Sequence, residues 1–441
     1  MEIGTKRKEF NLDEGIALPE EITYHRVEDT HLFIAPEKAS YICTNDIGKR
    51  FLGLFKKGLN ISTIISKLSP KYEKEKIISE LRNFLIAVEK QGFYENVTVK
   101  EESEFKPVLQ SYILHKCNIR CRHCFMDAGE SKQNELSSDE WFKIIDYWGD
   151  LAKESRIIFT GGEPLLHPDL IQFVKRAKEK KLTVELFSNG TLINKEIAGK
   201  LAKYIDIIQL SLDGASPEVN DEIRGKGVFK KVVNSIDLFG KTNVKIRIAV
   251  IVMPQNADDI KLNIEKLVKS FPRDVEFKFG FATTEGRADK SRRFSPSYLG
   301  EIKLQEILTV LYKKKLKTMR KIEPNFLTRN CGYGMSISIS SDGYIFPCAI
   351  LRNSYGNVKE NSLKDILEKM YRDRIATNIE NLENCNQCDV RYFCYGGCRL
   401  NNLKYNKSLL KPYCPPGKKE DMYKLLVNRN KFDPVSIWIG N

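Results

Sequence analysis

Two groups of cysteines carry the chemistry that this sequence can do. Cys117, Cys121 and Cys124 stand in a Cys-x3-Cys-x2-Cys run, and Cys331, Cys348, Cys385, Cys388, Cys394, Cys398 and Cys414 crowd the C-terminal third; only Cys43 stands alone among the 11 cysteines. A thiolate is a soft ligand for iron or zinc. Three thiolates on one short loop can hold three irons of a cubane and leave the fourth iron open to a substrate or cofactor. The plainer alternative for the first group is a three-cysteine zinc site, and the Cys385-x2-Cys388-x5-Cys394-x3-Cys398 run taken alone could be a zinc ribbon.

The elements around these residues must place them. The first cysteine run directly follows the apolar segment Tyr112-Ile113-Leu114. From there strands are expected near 110–115, 156–160, 182–187, 205–211, 245–252 and 275–280, with helical segments between, an alternation that implies a parallel sheet with crossover helices, either an open sheet or an incomplete barrel. Function in such folds sits at the C-terminal strand ends. Ahead of it, residues 22–43 read as short strands split by Glu28-Asp29 and Pro36-Glu37. Three helices follow, capped by Asn45 or Thr44 and by Asn60 or Ser62, the third placing Ile77, Leu81, Phe84, Leu85 and Val88 on one face before Gly92. A β-hairpin and a small helical bundle make a winged-helix pattern. The polar stretch Val99–Glu104 reads as a linker, and beyond about residue 331 metal is expected to organise the chain.

At 441 residues the chain needs two or three domains. Its hydrophobic fraction of 41% and charged fraction of 29% describe a globular protein. No stretch reaches the roughly 18 to 20 apolar residues of a membrane span. The charged N-terminus has no secretory h-region, which points to the cytoplasm and to cysteines kept as thiolates. The formal charge of +14 invites nucleic acid, but the lysines are spread out. Only Lys313-Lys314-Lys315 with Lys317, Arg320 and Lys321 form a run, which reads as a solvated helix face. Glu73, Glu75, Glu80 and Glu89 make the third N-terminal helix a poor phosphate reader, so neither nucleic acid nor membrane is expected as a partner.

The segment from Cys117 to Phe125 resembles the signature loop of radical S-adenosylmethionine (SAM) enzymes, and further motifs arrive in that family's order, each at the end of an expected strand. Gly161-Gly162-Glu163-Pro164 resembles the loop that binds the SAM amino group. Ser188-Asn189-Gly190 and Ser211-Leu212-Asp213-Gly214 fall where relatives contact ribose and methionine, Arg224 matches an arginine used on the SAM carboxylate, and Val252 with its neighbours and Gly286-Arg287-Ala288 fall where adenine packs. The C-terminal block resembles the SPASM domain of peptide-modifying members. The resemblance implies a partial (β/α)6 TIM-type barrel at 107–320, a winged-helix-like leader-peptide recognition domain at 1–98, a SPASM domain at 321–425 and a tail at 426–441. It implies SAM, one radical SAM [4Fe-4S] cluster on Cys117, Cys121 and Cys124, and two auxiliary clusters. Cys385, Cys388, Cys394 and Cys414 would complete one, while Cys331, Cys348 and Cys398 would hold the other one thiolate short.

The implied activity is reductive cleavage of SAM to a 5′-deoxyadenosyl radical and hydrogen abstraction from a core residue of a ribosomally made precursor peptide, giving a thioether or a carbon–carbon crosslink such as Lys to Trp. The leader would add as a strand along the edge at residues 31–43, and a flavodoxin or ferredoxin would supply electrons. Epimerisation and sulfatase-maturase-like side-chain oxidation are the near alternatives, the latter weakened by Ala349 where relatives carry an acid. A winged-helix DNA-binding iron–sulfur regulator is the remote one. No catalytic acid or base is assigned, although Asp127, Glu163 and Asp213 lie near the expected site.

Overall fold

The computed structural model describes residues 11–101, 107–271, 275–281, 286–287, 324–349 and 353–431. The chain divides into two units, one formed by 1–103, 322–330 and 378–434, the other by 104–321, 331–377 and 435–441. The expected C-terminal domain is thus shared between them. The basic run at 313–321 lies outside the described residues.

In the first unit an antiparallel sheet of β1 (Thr23–Val27), β2 (Thr30–Ala35) and β3 (Ser40–Thr44) precedes three helices, α1 (Asp46–Phe55), α2 (Ile61–Leu68) and α3 (Lys74–Lys90). Glu28 adopts a positive φ of 52° in the turn between β1 and β2. Asn45 and Asn60 cap α1 and α2 by accepting from the amides of Gly48 and Thr63 at 3.0 and 2.9 Å, satisfying donors that a first helical turn leaves orphaned. The apolar face of α3 is buried as its spacing requires, with Phe84 against Phe51 and Phe55. The stretch expected as a linker differs: β4 (Lys100–Glu101) pairs in parallel with Phe326–Leu327, and Arg329 bonds Glu101 at 2.8 Å. Nothing local announces a pairing between segments so distant in sequence. A helix at Lys418–Lys431 lies against all three strands of the sheet and runs through the position expected to begin a tail.

The second unit holds six parallel strands in sequence order, β5 (Val108–Tyr112), β6 (Arg156–Thr160), β7 (Thr183–Ser188), β8 (Ile207–Ser211), β9 (Lys245–Val252) and β10 (Glu276–Phe281). Between them run α4 (Ser138–Leu151), α5 (Leu170–Glu179), α6 (Lys195–Leu201), α7 (Pro217–Arg224), α8 (Val228–Gly240) and α9 (Ala257–Lys269). On the far side of β5 the sheet continues with Ser336–Ile339 in parallel, then Tyr344–Phe346 and Gly356–Asn357 antiparallel. It is an α/β fold with a partial, barrel-like sheet.

Alternation along the strands sorts the two faces. Val184, Leu186, Ile208, Ile246, Ile248 and Phe277 join Trp141, Trp148, Phe173 and Phe239 of the helices in one core. The opposite face carries Glu185, Gln209 and Arg247, all buried. A buried charge needs a partner, and Arg247 Nη1 donates to Glu185 Oε2 at 2.8 Å. Because all six strands run the same way, the loops after them gather at one end.

Candidate active site

The cysteine loop leaves β5 and is held in backbone hydrogen bonds. Gly162 donates to Leu114 O at 2.9 Å, Glu163 to Lys116 O at 2.9 Å and Cys117 to Gly129 O at 2.8 Å. This close approach is what the Gly161-Gly162 pair serves. A Cβ on Gly161, whose φ is 142°, would stand 2.3 Å from Leu114 O, and one on Gly162 would stand 2.0 Å from Lys116 O. Nothing but hydrogen fits there. The backbone these glycines approach is therefore the cysteine loop itself.

Glu163 is fully buried. Its carboxylate accepts from Ser188 Oγ and the Asn189 amide, both at 2.8 Å, and from the Leu165 amide at 3.2 Å. Burial nevertheless pushes its pKa up to about 7, so it is a carboxylate whose charge a cation beside it would stabilise. Asn189 reaches from the end of β7 to Asn118 Oδ1 at 2.9 Å and Cys117 Sγ at 3.8 Å, and Asn118 donates to Thr191 Oγ1 at 2.8 Å. The end of β7 is thereby tied to the first cysteine.

A second buried set lies beyond β8. Asp213 Oδ2 is 2.7 Å from Arg224 Nε and 3.2 Å from His123 Nε2. Neither contact has hydrogen-bond alignment; the one to Arg224 is ionic. Asp213 Oδ1 accepts from the Ile251 amide at 2.8 Å. From the other side Arg224 Nη1 comes 3.7 Å from Cys121 Sγ. Burial drives His123 down to about 4, so it is neutral near pH 7. Asp213 thus holds Arg224 against a cysteine. Arg287 closes the loop from the side of β10: it donates to Cys121 O at 2.8 Å, Ala128 O at 2.9 Å and Asp127 Oδ1 at 2.7 Å. A Cβ on Gly286 would lie 2.4 Å from Cys124 O. Gly286 and Arg287 therefore abut the cysteine loop, while Ala288 lies outside the described residues. Ser211 ends β8 half-buried, and Val252 is buried at the end of β9.

His123, Asn118 and Thr191 form a supporting set that the sequence reading does not single out, though His123 and Asn118 lie inside the cysteine motif. Arg287, expected where adenine packs, holds the backbone of the cysteine loop, with its partner Cys121 O 166 residues away.

The cysteines fit a cluster in the field they make for one another. None is in a disulfide. Cys121 is pushed up to about 11 by burial, with Arg224 opposing and Asp213, Cys124 and Cys117 adding; Cys117 is raised by burial and then by Glu163 and Cys124. Cys117 and Cys121, raised in this way, give up their protons when a metal centre binds. In the first unit Cys385 is likewise pushed up to about 12 by burial and by Cys394, Cys388 and Cys414, with Arg399 opposing. Cys331 and Cys348 belong to the second unit and Cys398 to the first. Among the described residues no three His, Cys, Asp or Glu side chains converge as tightly as the ligands of a single metal ion.

The Radical SAM superfamily model matches residues 111–267, and the SPASM iron–sulfur cluster-binding domain model matches 331–389. An AdoMet-dependent heme synthase of Methanosarcina barkeri is 29% identical over 336 residues, 69% of this chain and 95% of that protein. The antilisterial bacteriocin subtilosin biosynthesis protein AlbA of Bacillus subtilis is 27% identical over 74% of this chain and 75% of its own length. The mycofactocin maturase MftC of Mycolicibacterium smegmatis is 36% identical over 34% of this chain and 38% of its own. Among solved structures, Streptococcus suis SuiB bound to S-adenosylmethionine shares the fold with a TM-score of 0.56 at 18% identity, covering 90% of this chain and 99% of that one. Native anSMEcpe with bound AdoMet gives 0.58 at 20% identity over 74% of this chain and 99% of its own. Residues 111–267 thus carry a radical SAM domain and residues 331–389 a SPASM iron–sulfur cluster-binding domain.

Proposed function

We propose that this protein is a maturase of a ribosomally synthesised peptide that abstracts a hydrogen atom from a core residue and closes a crosslink, thioether or carbon–carbon. The observation that carries the reading is coverage. By sequence the heme synthase of Methanosarcina barkeri aligns with 69% of this chain and AlbA with 74%, and the SuiB fold, also solved bound to its precursor peptide SuiA, covers 90%. Peptide-maturing relatives such as AlbA and the sporulation killing factor maturation protein SkfB support the same class. The unit with β1–β3 and α1–α3 would be the winged-helix-like leader-recognition domain, with β3 at one edge of its sheet ready to pair with an extended segment.

Cys117, Cys121 and Cys124 would hold the radical SAM cluster, Cys385, Cys388, Cys394 and Cys414 one auxiliary cluster, and Cys331, Cys348 and Cys398 the other. Bound there, SAM and the reduced cluster supply a primary carbon radical that removes hydrogen from the substrate. The protein's own part is positioning. Glu163, steadied by Ser188 and Asn189, offers buried negative charge to the SAM ammonium, with the Gly161–Pro164 turn beside it. Asp213 keeps the Arg224 guanidinium 3.7 Å from Cys121 Sγ, where it opposes the charge of the sulfur and would meet the SAM carboxylate. Ser211 and Val252 stand at the strand ends where ribose and adenine would lie. A flavodoxin or ferredoxin in the cytoplasm would supply the electron.

An anaerobic assay of the reconstituted protein with dithionite, SAM and the precursor peptide tests this. Three cubane clusters mean about twelve irons per chain, with 5′-deoxyadenosine and a peptide lighter by two hydrogens per crosslink. A mass-neutral peptide with solvent deuterium at one α-carbon would favour epimerisation, and deoxyadenosine formed with a porphyrin in place of peptide would favour the heme-synthase reading.

A further inference from the structure

The geometry points to a role for Asp389 that joins the C-terminal cysteine site to the N-terminal sheet: Asp389 makes β1–β3 and the loop of Cys388 one cooperative body, so that filling that site orders the sheet. Asp389 directly follows Cys388 and is buried. Its carboxylate receives Thr23 Oγ1 at 3.1 Å and His25 Nε2 at 2.6 Å, both from β1. Lys419 Nζ reaches it at 2.9 Å and Tyr423 Oη at 3.0 Å, both from the helix that lies on the same sheet. His25 stacks on the Tyr423 ring with centroids 3.8 Å apart. Cys388 Sγ is 3.9 Å from Asp389 Oδ1.

The next turn repeats the connection. Arg391 pairs with Glu37, and Phe393, beside Cys394, meets the Tyr41 ring of β3 edge-on at 5.5 Å. Asn325 donates to Lys38 O at 3.0 Å and Gly92 O at 2.9 Å, clamping the same sheet to α3. Two of the cysteines therefore have their sequence neighbours embedded in the sheet. Unfilled, Cys385, Cys388 and Cys394 are half-buried thiols and Cys414 an exposed one, with little reason to converge. Filled, they fix the backbone from 385 to 414, and with it the partners that β1 and β3 use. A buried carboxylate with four donors breaks as a unit, since losing one leaves the rest poorly paired.

The proposal rests on these cysteines holding a cluster, and its test separates the two claims. Hydrogen–deuterium exchange of residues 23–44 is measured in the full chain before and after anaerobic reconstitution, with iron counted in the same samples, for the wild type, Cys388→Ala with Cys394→Ala, and Asp389→Asn. Wild-type exchange in β1 and β3 should slow about tenfold or more on loading. The double cysteine variant should lose about four irons and keep the fast exchange, with α4 to α9 unchanged. Asp389→Asn should keep its iron yet lose most of the slowing. Thr23→Ala with His25→Phe, which retains a ring on Tyr423, is the milder variant and should behave the same way. Unchanged iron in the double cysteine variant overturns the ligand assignment and the coupling with it. Iron lost with no change in exchange, or full slowing in both Asp389→Asn and the β1 variant, overturns the coupling alone.

Discussion

Replacing Gly162 by alanine places a methyl group 2.0 Å from Lys116 O, where ordinary contact needs about 3.4 Å or more between carbon and oxygen. The carbonyl must retreat by more than 1 Å (roughly the difference between those separations). That breaks the Glu163 N to Lys116 O bond and strains the Gly162 N to Leu114 O bond, both 2.9 Å. Two backbone hydrogen bonds at about 1 kcal/mol each, with overpacking of about 1–3 kcal/mol, give a loss of roughly 3–5 kcal/mol. Since Lys116 precedes Cys117, the displacement also moves the first ligand. Gly199→Ala is the control, because nothing lies within 4 Å of its added Cβ and an interior helix position gains up to about 1 kcal/mol. Anaerobic urea unfolding followed through the buried Trp141 and Trp148, with iron counted per chain, reads both effects. A Gly162→Ala protein within about 0.5 kcal/mol of wild type and with full iron would refute this account of the paired glycines.

Arg247→Leu leaves Glu185 buried without its 2.8 Å partner and should cost about 3–5 kcal/mol, while Arg247→Leu with Glu185→Leu should recover much of it; equal losses in single and double variants would contradict the pairing. Glu163, raised from 4.5 to about 7 by burial, binds a proton more readily folded than unfolded. Its contribution is present below pH 4.5 and lost as pH rises to 7, a swing of about 3 kcal/mol in the cluster-free protein. Glu163→Gln should flatten that slope, as urea midpoints across pH 4 to 8 would show. Ser137→Ala removes the capping box that joins Ser137 and Glu140 at the start of α4 and should cost about 1 kcal/mol with no change in deoxyadenosine yield.

Elements whose signals are local were legible in the chain. The six strands β5–β10 fall within a residue or a few of their expected positions, because apolar runs bounded by turn residues need no partner to be recognised. Asn45 and Asn60 cap the helices they precede. The cysteine loop and the strand-end motifs gather at one end of the sheet because parallel strands leave no other arrangement.

What each motif residue touches was not legible. The sequence determined that Gly161 and Gly162 stand beside an acidic residue after a strand; tertiary structure decided that they exist to let the cysteine loop pack against them. Asp213 and Arg224 both stood out, yet their pairing over Cys121, with His123 on the same carboxylate, depends on three loops meeting. The linker expected at 99–104 contains a strand because Phe326–Leu327 returns to it, and the C-terminal cysteine block divides because residues 378–431 pack on β1–β3. Composition and spacing are properties of one stretch of chain, so they settle which residues can hold metal, cap a helix or line a core. Partnership between distant stretches is decided by burial and by hydrogen bonds that form only when the chain has closed on itself.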